Sequence, residues 1–334
     1  MSPQYLIIGG LREDYCITHD DQAYLGVLGG NSVYAAVGAA VWSSSVGIIS
    51  RIGSNYPAEW LDQIRSAGIQ TGGVRLLPDA QDTRTFYKYL SPQERVDTHP
   101  AAHFLRAGLP LPPVLFDYRS STEGQGHLNE FGPLAIRPAD LPDDSGSALA
   151  AHLAPADYLT HSVVPARLRE MGVKLITVDP SIRYMQPGFR QQLRTLVNGL
   201  DAFLPSEAEV RSFFQPRPTD LWDMAESLAD FGCSVVVIKR GAAGQYLWDH
   251  ASKRRWQIPA SPARVVDVTG AGDAYCGGFL AGLQQTGDAV EAGIRGSVSA
   301  SLAIEGHGAL FALGAAPGLA QARLEALRPS TRLL

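Results

Sequence analysis

The stretch Val266-Asp267-Val268-Thr269-Gly270-Ala271-Gly272-Asp273-Ala274 sets three small residues directly before an acid and an apolar run, residues 275–283. A Gly-rich turn that runs into a helix leaves first-turn amides unpaired, at the positive end of the helix dipole. With no bulky side chain at Gly270, Ala271 or Gly272, an anion can come close to those amides. A carboxylate at Asp273, beside such a site, is placed to take a proton from an attacking hydroxyl. Phosphoryl transfer asks for that pairing: hold the charged phosphates, orient the nucleophile, remove its proton. Spacing alone leaves an equal alternative, in which Asp273 is a first-turn acid that only favours the helix start. Further upstream, Ser206 and Glu209 have the spacing of a capping box, which starts a helix whether or not Glu209 has another use.

Groups so far apart in the chain need a scaffold to converge. Apolar runs at residues 5–10, 45–53, 156–160, 174–178, 202–204 and 234–238 predict strands, and 245–248 with 255–258 predicts a hairpin. Helical periodicity falls at 32–43, 60–67, 191–196, 221–231, 273–285, 289–304 and beyond 317. Strands alternating with helices predict βαβ units and a parallel sheet. Residues 83–90 are β-prone and end in the turn Ser91-Pro92. The Pro- and Gly-rich stretch 100–142, with one strand expected at 114–118, reads as a peripheral insertion of the kind that forms lids or binding loops.

Composition narrows the class. The 334 residues are 45% hydrophobic and 18% charged, enough for a sizeable globular core. A net charge of −5 gives no basic footprint for nucleic acid. Cys16, Cys233 and Cys276 are odd in number and far apart, which argues for free thiols and against zinc or a disulfide framework. The N-terminal apolar run ends at Gly9-Gly10 after an uncharged start, so it reads as a strand and not a signal peptide. No window reaches the roughly 18 apolar residues of a membrane span. A cytoplasmic protein without membrane or nucleic-acid partners is expected.

Residues 267–273 resemble the C-terminal signature D-T-x-G-A-G-D of the PfkB (ribokinase-like) family of sugar and nucleoside kinases, with Val268 where Thr is usual. The resemblance implies an α/β fold: a ribokinase-like three-layer α/β/α sandwich with a mainly parallel central sheet and a small β lid. It implies one kinase domain over 1–334, with the lid drawn from about 12–28 and 82–120. In that likeness Asp273 is the catalytic base, the Gly270, Ala271 and Gly272 amides form the anion hole, and Thr269 lies on the nucleotide side. Asp267 lies near the monovalent-cation loop that binds K+ in many members. Other segments match in order. Asp14 stands at the offset of the substrate-binding acid. Gly29-Gly30-Asn31 resembles the start of G-G-x-x-x-N, with Tyr34 in place of the final Asn. Residues 206–209 resemble N-x-x-E, with Ser206 for Asn and Glu209 organising water around Mg2+. Lys239, Gly241 and Gly244 match a T-x-G-x-x-G phosphate segment, with Lys for Thr, where lysine offers a point charge. His307 falls in the segment near adenine. Asp179-Pro180-Ser181-Ile182-Arg183 is similar to the D-P-N-x-R stretch of some members.

The resemblance thus implies an ATP-dependent carbohydrate kinase using Mg2+, and in many members K+, that acts on a hydroxyl of a sugar. A nucleoside acceptor is the alternative within the family. A binding or regulatory protein with little activity is the alternative outside catalysis, supported by the departures at Tyr34, Ser206 and Lys239. A homodimer through the β lid is a further expectation.

Overall fold

The computed structural model describes residues 2–92, 94–216 and 220–334. In chain order the elements begin with β1 (Tyr5–Ile8), β2 (Arg12–Ile17), β3 (Ala23–Gly29), α1 (Asn31–Ala40), β4 (Val46–Ile52), α2 (Ala58–Ser66) and β5 (Gln70–Leu76). Next come β6 (Arg84–Ser91), β7 (Glu94–Val96), α3 (Pro100–Arg106), β8 (Ala150–Leu153), α4 (Tyr158–Met171), β9 (Leu175–Val178) and α5 (Arg190–Val197). They continue with β10 (Ala202–Phe203), α6 (Glu207–Phe214), α7 (Leu221–Ala229), β11 (Val235–Lys239), β12 (Gln245–Asp249) and β13 (Arg254–Ile258). The chain closes with α8 (Ala271–Thr286), α9 (Ala289–Ala303), α10 (Leu319–Leu327) and β14 (Arg332–Leu333).

Ten strands form one sheet in the order β14-β13-β12-β11-β10-β9-β8-β1-β4-β5. The run from β5 to β11 is parallel, and the β12, β13 and β14 edge is antiparallel. Alternation along β1 feeds two cores. Tyr5 and Ile7 join a cluster with α1, α8 and α9, while Leu6 and Ile8 join another with α4, α5 and α7. Period-two side chains buried on both faces make the strand wholly apolar, and helices cover both faces. The three-layer α/β/α expectation therefore holds.

Several local expectations do not. The strand expected at 156–160 lies earlier, at Ala150–Leu153, because Ala150 and Leu153 are locked between β1 and β9 despite the weak β propensity of Ala-Ala-His. The β-prone Tyr-Leu-Thr run instead opens α4, with Asp157 as its N-cap. Residues 114–118 hold a short 3-10 turn at Pro113–Leu115, where two prolines deny ladder donors. Strand β5, helix α3 and the tail strand β14 carried too little periodicity to be foreseen.

A second sheet has the order β3-β2-β6-β7. β2 pairs with β3 antiparallel and with β6 parallel, and β7 closes the edge antiparallel to β6. Its registers sort the side chains. Opposite residues share a face, so Asp14, Cys16, Tyr24, Thr85, Tyr87, Tyr89 and Arg95 line one face, together with Arg12. Tyr15, Ile17 and Phe86 line the other, where Phe104 of α3 and Leu115 complete a small core. The insertion thus backs this sheet. Residues 120–125 tie it to the main body, where Ser181 donates to the Gln125 side chain at 2.7 Å and Arg183 Nε donates to Thr122 at 2.8 Å.

Helices α1 and α8 pack unusually close. A Cβ on Gly277 would lie 1.8 Å from the Ala35 carbonyl oxygen, and one on Gly38 would lie 2.0 Å from that of Ala274. Two glycines therefore fix the depth at which the start of α8 meets the helix that follows Gly29-Gly30.

Candidate active site

The turn before α8 is tightly specified. The Asp267 carboxylate accepts from the Thr269 amide at 2.9 Å, and Gly270, at φ 72°, is the N-cap. A side chain there would be strained and would also strike the Tyr34 ring 2.1 Å away. Tyr34 is buried, and its ring packs on this turn. The amides of Gly270, Gly272 and Asp273 make no hydrogen bond among the described residues, whereas that of Ala271 donates to the Val268 carbonyl at 3.2 Å. One member of the expected set, Ala271, is thus engaged and Asp273 offers its amide in its place, because residue 271 closes the turn. An anion bound here would meet three unpaired amides and the dipole end of a sixteen-residue helix.

Asp273 sits half-buried in the first turn, and burial pushes its carboxyl up to about 6, opposed by the charges of Lys239 and Arg95. Lys239 closes β11, and its ammonium would be 3.7 Å from a Cβ on Gly272. Asp179, at the end of β9, pairs with that ammonium, which also lies 3.4 Å from Cys276 Sγ. Burial opposes the lysine charge, but Asp179 holds the group above its ordinary value. Nearby, Ser206 and Glu209 form the expected capping box, with both the amide and hydroxyl of Ser206 donating to Glu209 Oε2 at 2.7 Å. Glu209 Oε1 has no partner among the described residues. Burial and the neighbouring Asp179 raise this carboxyl to about 7. No cluster of three His, Cys, Asp or Glu able to hold a metal occurs among the described residues. Gly241 and Gly244 shape a tight turn beyond Lys239, in which Arg240 donates to the Gly244 carbonyl at 2.9 Å.

The opposite wall is the inner face of the second sheet. Asp14 is 3% exposed, and its carboxylate occupies the space that a side chain on Gly29 would need. Gly30, at φ 102°, turns the chain so that its amide faces that carboxylate. Burial raises Asp14 to about 7 against the pull of Gly30, Arg95 and Arg12, and its Oδ1 has no hydrogen-bond partner. Asn31 straps strand ends together: it accepts from the Gly10 amide at 2.8 Å and donates to the Pro155 carbonyl at 2.6 Å. Its amide is committed to positioning the C-terminal ends of β1 and β8. Cys16 Sγ lies 3.7 Å from the Thr269 hydroxyl, and Tyr24 stacks on His307 with centroids 3.7 Å apart. His307 Nδ1 is 3.3 Å from Asp267, so it bridges the second sheet to the catalytic turn.

Asp14, Asp273, Lys239, Glu209 and the Gly270–Gly272 turn therefore converge, with Gly241, Gly244, Thr269 and His307 around them. Sequence reasoning overlooked Arg95, whose charge acts on both Asp14 and Asp273. The alternation Tyr87, Tyr89, then a turn at Ser91-Pro92, was the available signal for a hairpin that points it inward. It also treated Asp179 as part of a motif and not as the partner of Lys239.

A half-buried acid within a Gly-rich helix start, at the C-terminal edge of a parallel sheet and faced by a small second sheet, defines a phosphotransferase of the α/β sandwich class. A sequence model described as pfkB family carbohydrate kinase matches residues 149–315, half of the chain. The chain belongs to that family and is a carbohydrate or nucleoside kinase. It is 26% identical to a cytidine kinase of Thermococcus kodakarensis over 279 residues, 83% of this chain and 87% of the relative. It is 30% identical to a nucleoside kinase of Methanothermobacter thermautotrophicus over 174 residues, 52% of this chain and 53% of that one. Among solved structures, a ribokinase from Giardia lamblia superposes with a TM-score of 0.70 at 16% identity, covering 98% and 100% of the two chains. An aminoimidazole riboside kinase from Salmonella enterica superposes with a TM-score of 0.67 at 20% identity, covering 96% and 99%. These likenesses confirm the ribokinase-like fold. Among the described residues, no helix is long and apolar enough to cross a membrane.

Proposed function

We propose that the chain moves the γ-phosphoryl group of ATP to a hydroxyl of a sugar or nucleoside, with Asp273 as base. The carrying observation is that Asp273 stands within a helix start whose Gly270, Gly272 and Asp273 amides are unpaired, with the Lys239 ammonium beside them. The acceptor oxygen forms a bond to γ-phosphorus as the bond to the β,γ-bridging oxygen breaks and ADP leaves. The hydroxyl proton passes to the Asp273 carboxylate and then to solvent. The free amides and Lys239 hold the charge of the phosphates. Glu209, with one unengaged oxygen and a second acid nearby, would hold the water shell of Mg2+, whose charge would offset that of the phosphates. Asp14 accepts from an acceptor hydroxyl through its bare Oδ1. Asp267 is already engaged by Thr269 and His307, which leaves less of its carboxylate for K+.

Within the class a nucleoside acceptor is favoured. The relative matched over most of its length is a cytidine kinase, and the inner face of the second sheet carries Tyr24, Tyr87 and Tyr89, suited to packing on a flat base. The test is ADP release from ATP and Mg2+ against sugars, sugar acids, polyols and nucleosides, with Asp273→Asn beside wild type. Turnover on a nucleoside, lost in the variant, is expected. No turnover on any acceptor, with nucleotide binding intact, would support the binding-protein reading instead.

A further inference from the structure

Arg95 is an exposed cation of the second sheet. It lies on β7, the edge strand of the second sheet, opposite Tyr89. That register turns it to the same face as Asp14 and Cys16. Its guanidinium stacks over the Tyr87 ring, 4.3 Å from the centroid, and is next to the Tyr89 hydroxyl, which also faces Thr269 of the catalytic turn. The Tyr87 ring therefore covers one face of the guanidinium, and the Tyr89 hydroxyl takes one of its donors. No carboxylate among the described residues forms an ion pair with it. Its charge acts on both Asp14 and Asp273, the acid that faces the acceptor and the acid that faces the reacting hydroxyl. Arg84 of the same sheet, by contrast, pairs with Asp82 at 2.7 Å and Asp117 at 2.8 Å.

We propose that Arg95 is a catalytic residue that donates hydrogen bonds to the phosphoryl group during its transfer, delivered by the second sheet from the side opposite Lys239. The inference rests on the phosphotransferase reading above. As the γ-phosphorus passes between the leaving and attacking oxygens, its equatorial oxygens lie between the free amides at α8 and the inner face of the second sheet. A planar, permanently charged fork suits those oxygens better than an ammonium. Carrying it on the sheet that covers the acceptor ties full charge stabilisation to closure over a bound substrate. Water alone would hold that sheet less firmly, so ATP hydrolysis is suppressed.

The test compares Arg95→Ala, Arg95→Gln and Arg95→Lys with wild type, using cytidine, inosine and ribose as acceptors, and also ATP hydrolysis without acceptor. Loss of roughly 10²- to 10³-fold in kcat is expected for the Ala and Gln variants, with KM for ATP and acceptor little changed. Lys should recover part of the loss. Affinity for ADP with aluminium fluoride, a mimic of the group in transfer, should fall in parallel, while affinity for ADP alone should hold. Retained ADP affinity also shows that the variants fold. A raised acceptor KM with kcat intact would overturn the proposal by making Arg95 a reader of the acceptor. Unchanged kinetics in the variants would overturn it outright. A wild type that turns over no acceptor and does not hydrolyse ATP would overturn the phosphotransferase reading, and this inference with it.

Discussion

Two places in the molecule each bring one buried aspartate together with two arginines, and they treat the charge in opposite ways. At the β4–β5 side, Asp140 takes Arg51 at 3.1 Å on one oxygen and Arg75 at 2.8 Å on the other, and accepts from the Arg137 amide at 2.8 Å. Every lone pair that matters is used, and the result pins the residues before β8 to the sheet. On the second sheet, Asp14 feels the charges of Arg12 and Arg95 without an ion pair to either, and one oxygen is bare among the described residues. A buried carboxylate left wanting is costly. The fold tolerates that cost where a ligand can relieve it. The difference separates a group that holds structure together from one that waits for a partner, although sequence composition makes the two sites look alike.

The largest effect should come from the chemistry that the unsatisfied site serves. Asp273→Asn keeps shape and removes the base, and turnover of the best acceptor should fall by roughly 10²- to 10⁴-fold with ADP affinity retained. Steady-state kinetics beside calorimetric ADP binding decide it, and a loss under tenfold would return Asp273 to the role of a first-turn acid.

The comparison itself is broken or kept by a pair of substitutions. Asp140→Ala leaves Arg51 buried without its carboxylate and should cost roughly 3–5 kcal/mol in denaturant unfolding, with kcat near wild type at low temperature. Asp14→Asn should do the reverse. It should raise acceptor KM roughly 10- to 100-fold through a lost charge-assisted hydrogen bond, worth about 1.5–3 kcal/mol, without loss of stability. Equal destabilisation by the two variants would erase the distinction drawn here.

Proton linkage gives a finer view. The folded Asp14 carboxyl titrates at about 7, above its unfolded value, so the folded state holds a proton that the unfolded state releases. Its contribution is fully present below the unfolded value near pH 4 and is lost as pH rises to about 7. Wild type should therefore lose stability relative to Asp14→Asn across that window in the absence of ligand, as melting temperatures at several pH values would show. A constant difference between the two would mean that Asp14 is not buried as an uncompensated acid.

The smallest effect is the acid limb of the rate profile. Asp273 must be ionised to act as base, and its carboxyl is raised to about 6. With a nucleoside acceptor, kcat/KM should climb about tenfold or more per pH unit below 6, and it should level only above about 7, where Asp14 is ionised as well. A limb that persists in Asp273→Asn would belong to another group, with Glu209 the first candidate.

Much of this was written in the chain. The Gly270–Asp273 turn was legible because only small residues allow close approach to a helix start, and its neighbours Ser206 and Glu209 announced their own capping box. The apolar runs of β1, β4, β9 and β11 were legible because strands buried on both faces must be apolar throughout. What the sequence left undecided depended on partners far away in the chain. Ala150–Leu153 is a strand only because β1 and β9 flank it, and Asp157 starts a helix where the local residues prefer a strand. The Asn31 side chain binds the Gly10 amide and the Pro155 carbonyl, and the Tyr34 ring backs Gly270, contacts that no local pattern announces. Arg95 is anonymous in sequence, an arginine after a turn. The register of β7 on β6 decides which way it faces, and only the folded sheet shows that no carboxylate among the described residues pairs with it.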